Sequence, residues 1–120
     1  MNKIAHLAAV AAALFAVAVP AIAMTPGKHR FNHKGHYRPA PGRAQRGVGV
    51  LYVANLTGWN ESFYVDGRLS MTLAPGTAME MEAWAGVHTI QAQITGTNDW
   101  GPSEPDVVVA GYFSDVDIIP

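Results

Sequence analysis

From Val48 onward the apolar positions recur with a period of two, which is the signature of strands whose alternate side chains face opposite sides of a sheet. Val48-Gly49-Val50-Leu51-Tyr52-Val53-Ala54-Asn55 is apolar on both faces and predicts a strand near the centre of the core. Phe63-Tyr64-Val65 predicts a second, closed by Asp66-Gly67, a pair whose backbone preferences match a two-residue hairpin. Leu69, Met71 and Leu73 then alternate with Arg68, Ser70 and Thr72, which places all three apolar side chains inward. Pro75-Gly76 turns the chain again. Met79, Met81 and Ala83 alternate with Glu80 and Glu82, predicting a half-buried strand with an acidic outer face. After Ala85-Gly86, Ile90, Ala92 and Ile94 face inward while Thr89, Gln91 and Gln93 face outward. A polar loop from Gly96 to Pro105 precedes strands over Asp106–Phe113 and Val116–Ile119. About seven short strands with turns at close intervals predict an all-β fold, a small antiparallel immunoglobulin-like β-sandwich, with a small closed barrel as the alternative.

The first 47 residues read differently. Met1-Asn2-Lys3 carries one positive charge, Ile4 to Val19 is almost wholly apolar, and Pro20 is followed by Ala21-Ile22-Ala23. A charged start, an apolar centre and an A-x-A end form the pattern of a cleavable secretory signal over 1–23, which implies a periplasmic or extracellular product. An uncleaved anchor is the competing reading, since such a run could just cross a bilayer. There is no cysteine, so a fold in an oxidising compartment rests on packing alone.

Charge divides the remainder. Residues 24–47 hold six basic side chains and no acidic one, whereas 48–120 hold nine acidic side chains against Arg68. The 24–47 stretch is rich in Pro and Gly, has only Phe31 and Tyr37 as large apolar residues, and shows no periodicity. It reads as a disordered basic His-rich arm preceding a β-sandwich domain over 48–120.

Three stretches, Phe63-Tyr64-Val65-Asp66-Gly67-Arg68, Leu73-Ala74-Pro75-Gly76 and Ala85-Gly86-Val87-His88-Thr89-Ile90, resemble PEGA-type and related small exported sandwich domains. The resemblance covers about a third of the chain, between Asn55 and Ile90. It implies a sandwich in which a strand ends at Asp-Gly and a Gly-x-His-Thr opens a core strand, and it implies no reaction.

Several residues are candidates for chemistry or binding. His29, His33 and His36 have spacings suited to sharing a Zn, Cu or Ni ion, although the neighbouring Lys28, Arg30, Lys34 and Arg38 oppose a cation. The six basic residues Lys28, Arg30, Lys34, Arg38, Arg43 and Arg46, with Phe31 and Tyr37 interleaved, suit an anionic surface such as lipid head groups, acidic polysaccharide or nucleic acid. A solvated spacer, or an arm folded back on its own acidic domain, are the alternatives. Export argues against nucleic acid as a physiological partner. Trp59 and Trp100 lie in Gly58-Trp59-Asn60 and Asp99-Trp100-Gly101, loop settings in which an indole can stack on a sugar ring or anchor a protein. His88 reads as a core-edge histidine whose ring finds backbone partners near Gly86. Asp99, Glu104 and Asp106 lack the regular spacing of a calcium loop. No nucleophile and base are paired, and no cofactor motif is present. The sequence therefore points to a non-enzymatic exported module that binds a protein or glycan of the cell envelope, its basic arm touching anionic material. A periplasmic metal-binding protein is the alternative.

Overall fold

The computed structural model describes residues 29–32 and 37–120. Residues 1–23, over which the sequence predicts a signal, Lys28, and the stretch containing His33, Lys34 and His36 lie outside the described residues. The described chain forms β1 (Arg30–Asn32), β2 (Tyr37–Pro39), β3 (Val48–Asn55), β4 (Glu61–Val65), β5 (Arg68–Leu73), β6 (Ala78–Trp84), β7 (Gly86–Ile94), β8 (Glu104–Val108) and β9 (Tyr112–Ile119). One sheet has the order β1-β9-β3-β6, with β2 also pairing with β9; the other has the order β5-β4-β7-β8. The two sheets face each other as a β-sandwich. All pairings are antiparallel except that of β3 with β9.

The apolar period becomes the core directly. Leu51, Val53, Met81, Ala83, Val116 and Ile118 of the first sheet meet Phe63, Val65, Leu73, Ile90, Ala92 and Val108 of the second. β3 is buried almost throughout because it lies between β6 and β9. Gly49 on this strand lies against β8 and β9: a methyl group there would collide with the Val109 carbonyl, and would stand 2.8 Å from Val108 and 3.0 Å from the Tyr112 carbonyl. The run expected as one strand from Asp106 is instead broken by a turn at Gly111 (φ 84°), which separates β8 from β9.

One side chain departs from the predicted alternation. Phe63 pairs with Met71, but Tyr64 pairs with Leu69, so the ladder shifts by one residue between them. A shift of one reverses the face of every side chain beyond it. Leu69 therefore stands on the outer face beside Tyr64, 58 % exposed, while Met71 and Leu73 remain in the core.

The larger departure is the basic arm. At the described residues 29–32 and 37–47 it is folded into the sandwich rather than disordered. β1 pairs with the Asp117–Ile119 end of β9, and β2 with its Tyr112–Ser114 end, so both lie along one edge. Phe31 enters the core and meets Phe63 edge-on, with ring centroids 5.8 Å apart. Composition suggested disorder because the segment's own apolar content is low. What orders it is β9, whose unpaired edge supplies backbone partners that no local sequence pattern reveals.

Candidate functional site

The two outer faces of the sandwich differ in chemistry. On the β1-β9-β3-β6 sheet, outward positions carry Glu80, Glu82, Asp115 and Asp117, the acidic face that the alternation predicted. The arm lies against this face. Arg38 makes a two-pronged contact with Asp115, at 2.6 and 3.1 Å, and its guanidinium stacks over Phe113 (4.5 Å) and Tyr52 (5.4 Å). Beyond β2 the chain turns through Pro41-Gly42 and a short 3-10 turn at Ala44–Arg46. This brings Arg46 to Glu82 at 2.9 and 3.1 Å, and Arg43 to the same carboxylate at 3.3 Å. Arg46 first, and Arg43 with it, hold the Glu82 carboxyl below its ordinary range against the opposing effect of burial. Arg30 donates to the backbone oxygen of Pro120 at 2.6 Å. Of the readings of the basic arm (an anionic partner, a solvated spacer, or an arm folded back on its own acidic domain), the contacts at Arg30 and Arg38 follow the last. Arg38 pairs with Asp115 of the acidic sheet, and Arg30 with the Pro120 carbonyl, rather than pointing to an outside anion.

His29 is also turned inward. Its ring is buried, with Nδ1 3.1 Å from Oε1 of the equally buried Glu61, a contact close enough for an ion pair but not aligned as a hydrogen bond. The Glu61 contact holds the imidazole above its ordinary pKa against the opposing effect of burial, and Asp99 adds in the same direction. The other Glu61 oxygen, Oε2, lies 3.2 Å from the Thr57 hydroxyl oxygen. Beside it, the buried Asn55 amide donates to the carbonyls of Trp59 (2.7 Å) and Leu73 (2.9 Å), and its oxygen accepts from the Thr57 backbone and hydroxyl. This network fixes the 55–61 loop, and Trp59 within it is half-buried. His29 was expected to share an ion with His33 and His36, which lie outside the described residues. Among the described residues no group of three or more His, Asp or Glu side chains is arranged to hold a metal ion.

A second histidine closes the opposite corner. His88 Nδ1 lies 2.6 Å from Asp66 Oδ2, and Nε2 lies 2.7 Å from the Trp84 carbonyl. Asp66 takes a positive φ of 52° in the hairpin and also accepts from the Thr89 backbone at 2.9 Å. The carbonyl partner and the position near Gly86 match the reading of a core-edge histidine.

The outer face of the β5-β4-β7-β8 sheet has the contrary character: by pairing register its outward positions are uncharged, while the charged residues of these strands, Glu61, Arg68, Glu104 and Asp106, fall on the inward-facing register, Arg68 being exposed at the start of β5. Tyr64 on β4 sits between Leu69 on β5 and Gln91 on β7. Ser62 sits between Thr72 and Gln93, and further along Thr89 pairs with Pro105 and Val87 with Val107. Trp100, carried by the loop after β7, bridges to Gln93 and packs on Tyr64 with ring centroids 5.0 Å apart and planes tilted by 49°. It remains 41 % exposed. The amides beside it are fixed: Gln91 donates to the Gly101 carbonyl at 3.1 Å, Gln93 to the Thr97 carbonyl at 2.6 Å, and the Tyr64 hydroxyl donates to Gln93 at 3.1 Å. Trp100 was legible as a candidate. Tyr64 and Leu69 were not, because Tyr64 read only as a strand residue and Leu69 read as core.

Comparisons of the chain with protein-family models, with curated proteins and with solved structures found no match.

Proposed function

We propose that the chain is a non-enzymatic, exported β-sandwich module that binds a protein or glycan of the cell envelope through the uncharged outer face centred on Trp100 and Tyr64. The observation that carries this reading is the division of charge between the two faces. On the acidic sheet, Asp115 and Glu82 are paired with the chain's own Arg38, Arg43 and Arg46. The opposite face leaves a half-exposed indole, a packed tyrosine and an exposed leucine in one group. Aromatic side chains with an apolar body are favoured anchors, and ones already packed lose little freedom on binding. The signal pattern over 1–23 supports export.

Retention of the processed chain on isolated envelope fractions tests the reading. Trp100→Ala and Leu69→Arg, each confirmed to be folded by its thermal melt, are expected to lose most of that retention. Undiminished retention in both would place the binding surface elsewhere.

A further inference from the structure

Resting on the proposed binding face, we infer that its ligand is a neutral glycan, held by stacking of a pyranose ring on Trp100 beside the fixed amides of Gln91 and Gln93. The absence of charge is the first argument. A uronate- or sulfate-bearing polysaccharide needs cations to replace its lost hydration, and no outward register position on these four strands supplies one; Arg68, exposed at the start of β5, pairs with the core residue Val65, on the reverse side from Tyr64 and Leu69. The described arginines at 38, 43 and 46 lie on the other sheet, each against a carboxylate. An uncharged sugar asks for an apolar plate against its C–H face and hydrogen-bonding groups around its rim.

The geometry supplies both. Trp100 is braced on one side by Tyr64, which fixes the indole while leaving part of it in solvent. Each Gln amide carries two N–H groups. With one engaged by a loop carbonyl, the amide is held in place and keeps a further N–H for a hydroxyl. Groups fixed before binding cost less to order when the ligand arrives. A protein partner fits less well, because the cores of protein interfaces are contiguous and apolar. Here the exposed apolar side chains form two separate groups, Leu69 with Tyr64 and Trp100, and Val87 with Val107. The Thr89–Pro105 pair lies between them.

Affinity electrophoresis in gels containing neutral glucans, galactans or mannans, with polygalacturonate as the anionic arm, reads the inference out. Retardation by at least one neutral polysaccharide is expected, unchanged by added salt. Trp100→Ala should weaken it about tenfold, the size of one lost aromatic contact. Leu69→Glu, which sets a charge beside Tyr64 while leaving Trp100 in place, should also weaken it and guards against a folding artefact in the first variant. No retardation by any neutral polysaccharide, or retardation by polygalacturonate alone, overturns the inference. If envelope retention still depends on Trp100 in that case, the binding face stands and its partner is a protein. If it does not, the binding face falls as well.

Discussion

His88 and Asp66 meet at 2.6 Å, and the other ring nitrogen of His88 faces the Trp84 carbonyl at 2.7 Å, so the imidazole stands between two hydrogen-bond acceptors. Only the imidazolium can donate to both. The contact ties the β4–β5 hairpin turn to the end of β6, joining the two sheets at one corner. Burial pulls the ring's pKa down. The Asp66 hydrogen bond, the Trp84 carbonyl and the charges of Asp66 and Asp106 outweigh it, and the net direction is upward from 6.5.

That direction fixes a pH dependence. Below about pH 6.5 the folded and unfolded chains both hold the proton, and the contribution to stability is complete. Above it the unfolded chain releases the proton first, and the contribution disappears as pH rises through the folded value. His29 is shifted in the same direction and adds to the trend. The melting temperature is expected to fall from mildly acidic to mildly alkaline pH. His88→Gln should flatten that slope without abolishing it, as melts across the range will show.

The buried pair at the other end gives a different signature. Removing one member of a buried ion pair strands the other, at a cost of about 3 kcal/mol, whereas removing both costs less than the sum. His29→Ala is therefore expected to destabilise strongly, and His29→Ala with Glu61→Leu to recover part of the loss. Denaturant titrations of the two singles and the double measure the coupling.

Gly49 tests the packing between the sheets. No flexible side-chain tip alone stands in the way of a methyl group here, since two of its three nearest neighbours are carbonyl oxygens. Gly49→Ala is expected to cost about 3 kcal/mol or to prevent folding, by the overpacking that close-packed interiors resist. Gly67→Ala, where no atom lies within 4 Å of the added carbon, meets only the strain of its positive φ and should cost less. Chemical denaturation of both variants checks the order.

The arm divides into a part that stabilises and a part that decorates. Phe31 is buried against Phe63, and Phe31→Ala is expected to cost about 3 kcal/mol through lost burial and the cavity left behind. Arg38 and Asp115 are partly exposed, with half of the arginine side chain in solvent, so Arg38→Ala should cost about 1 kcal/mol or less, and less still at high salt. A loose arm would make both substitutions neutral, and equilibrium unfolding separates the cases.

Much of the sandwich was legible in the chain because burial writes a period of two into sequence. β3 begins and ends where the apolar run does, and Met79, Met81, Ile90, Ala92 and Ile94 face the way their alternation demands. Leu69 was misplaced because the ladder shift lies in the pairing of two strands and leaves no mark in either one alone. The docking of β1 and β2 was hidden for a similar reason. Three-residue strands hold too few apolar side chains to register, and their partner β9 lies about eighty residues further along. Trp100 stood out through its loop setting. The uncharged face around it became visible only once four strands, individually unremarkable in their outward Thr, Gln and Ser positions, were set side by side.

A salt titration of envelope retention separates the proposed contact through the uncharged sheet from one through the basic arm. If the sheet meets the partner, retention holds steady from low to high ionic strength in the chain beginning after residue 23 and in a variant of it with Arg38, Arg43 and Arg46 all changed to Ala. Retention that collapses as salt rises, or that vanishes with the three arginines while Trp100→Ala leaves it intact, would contradict a contact through the sheet.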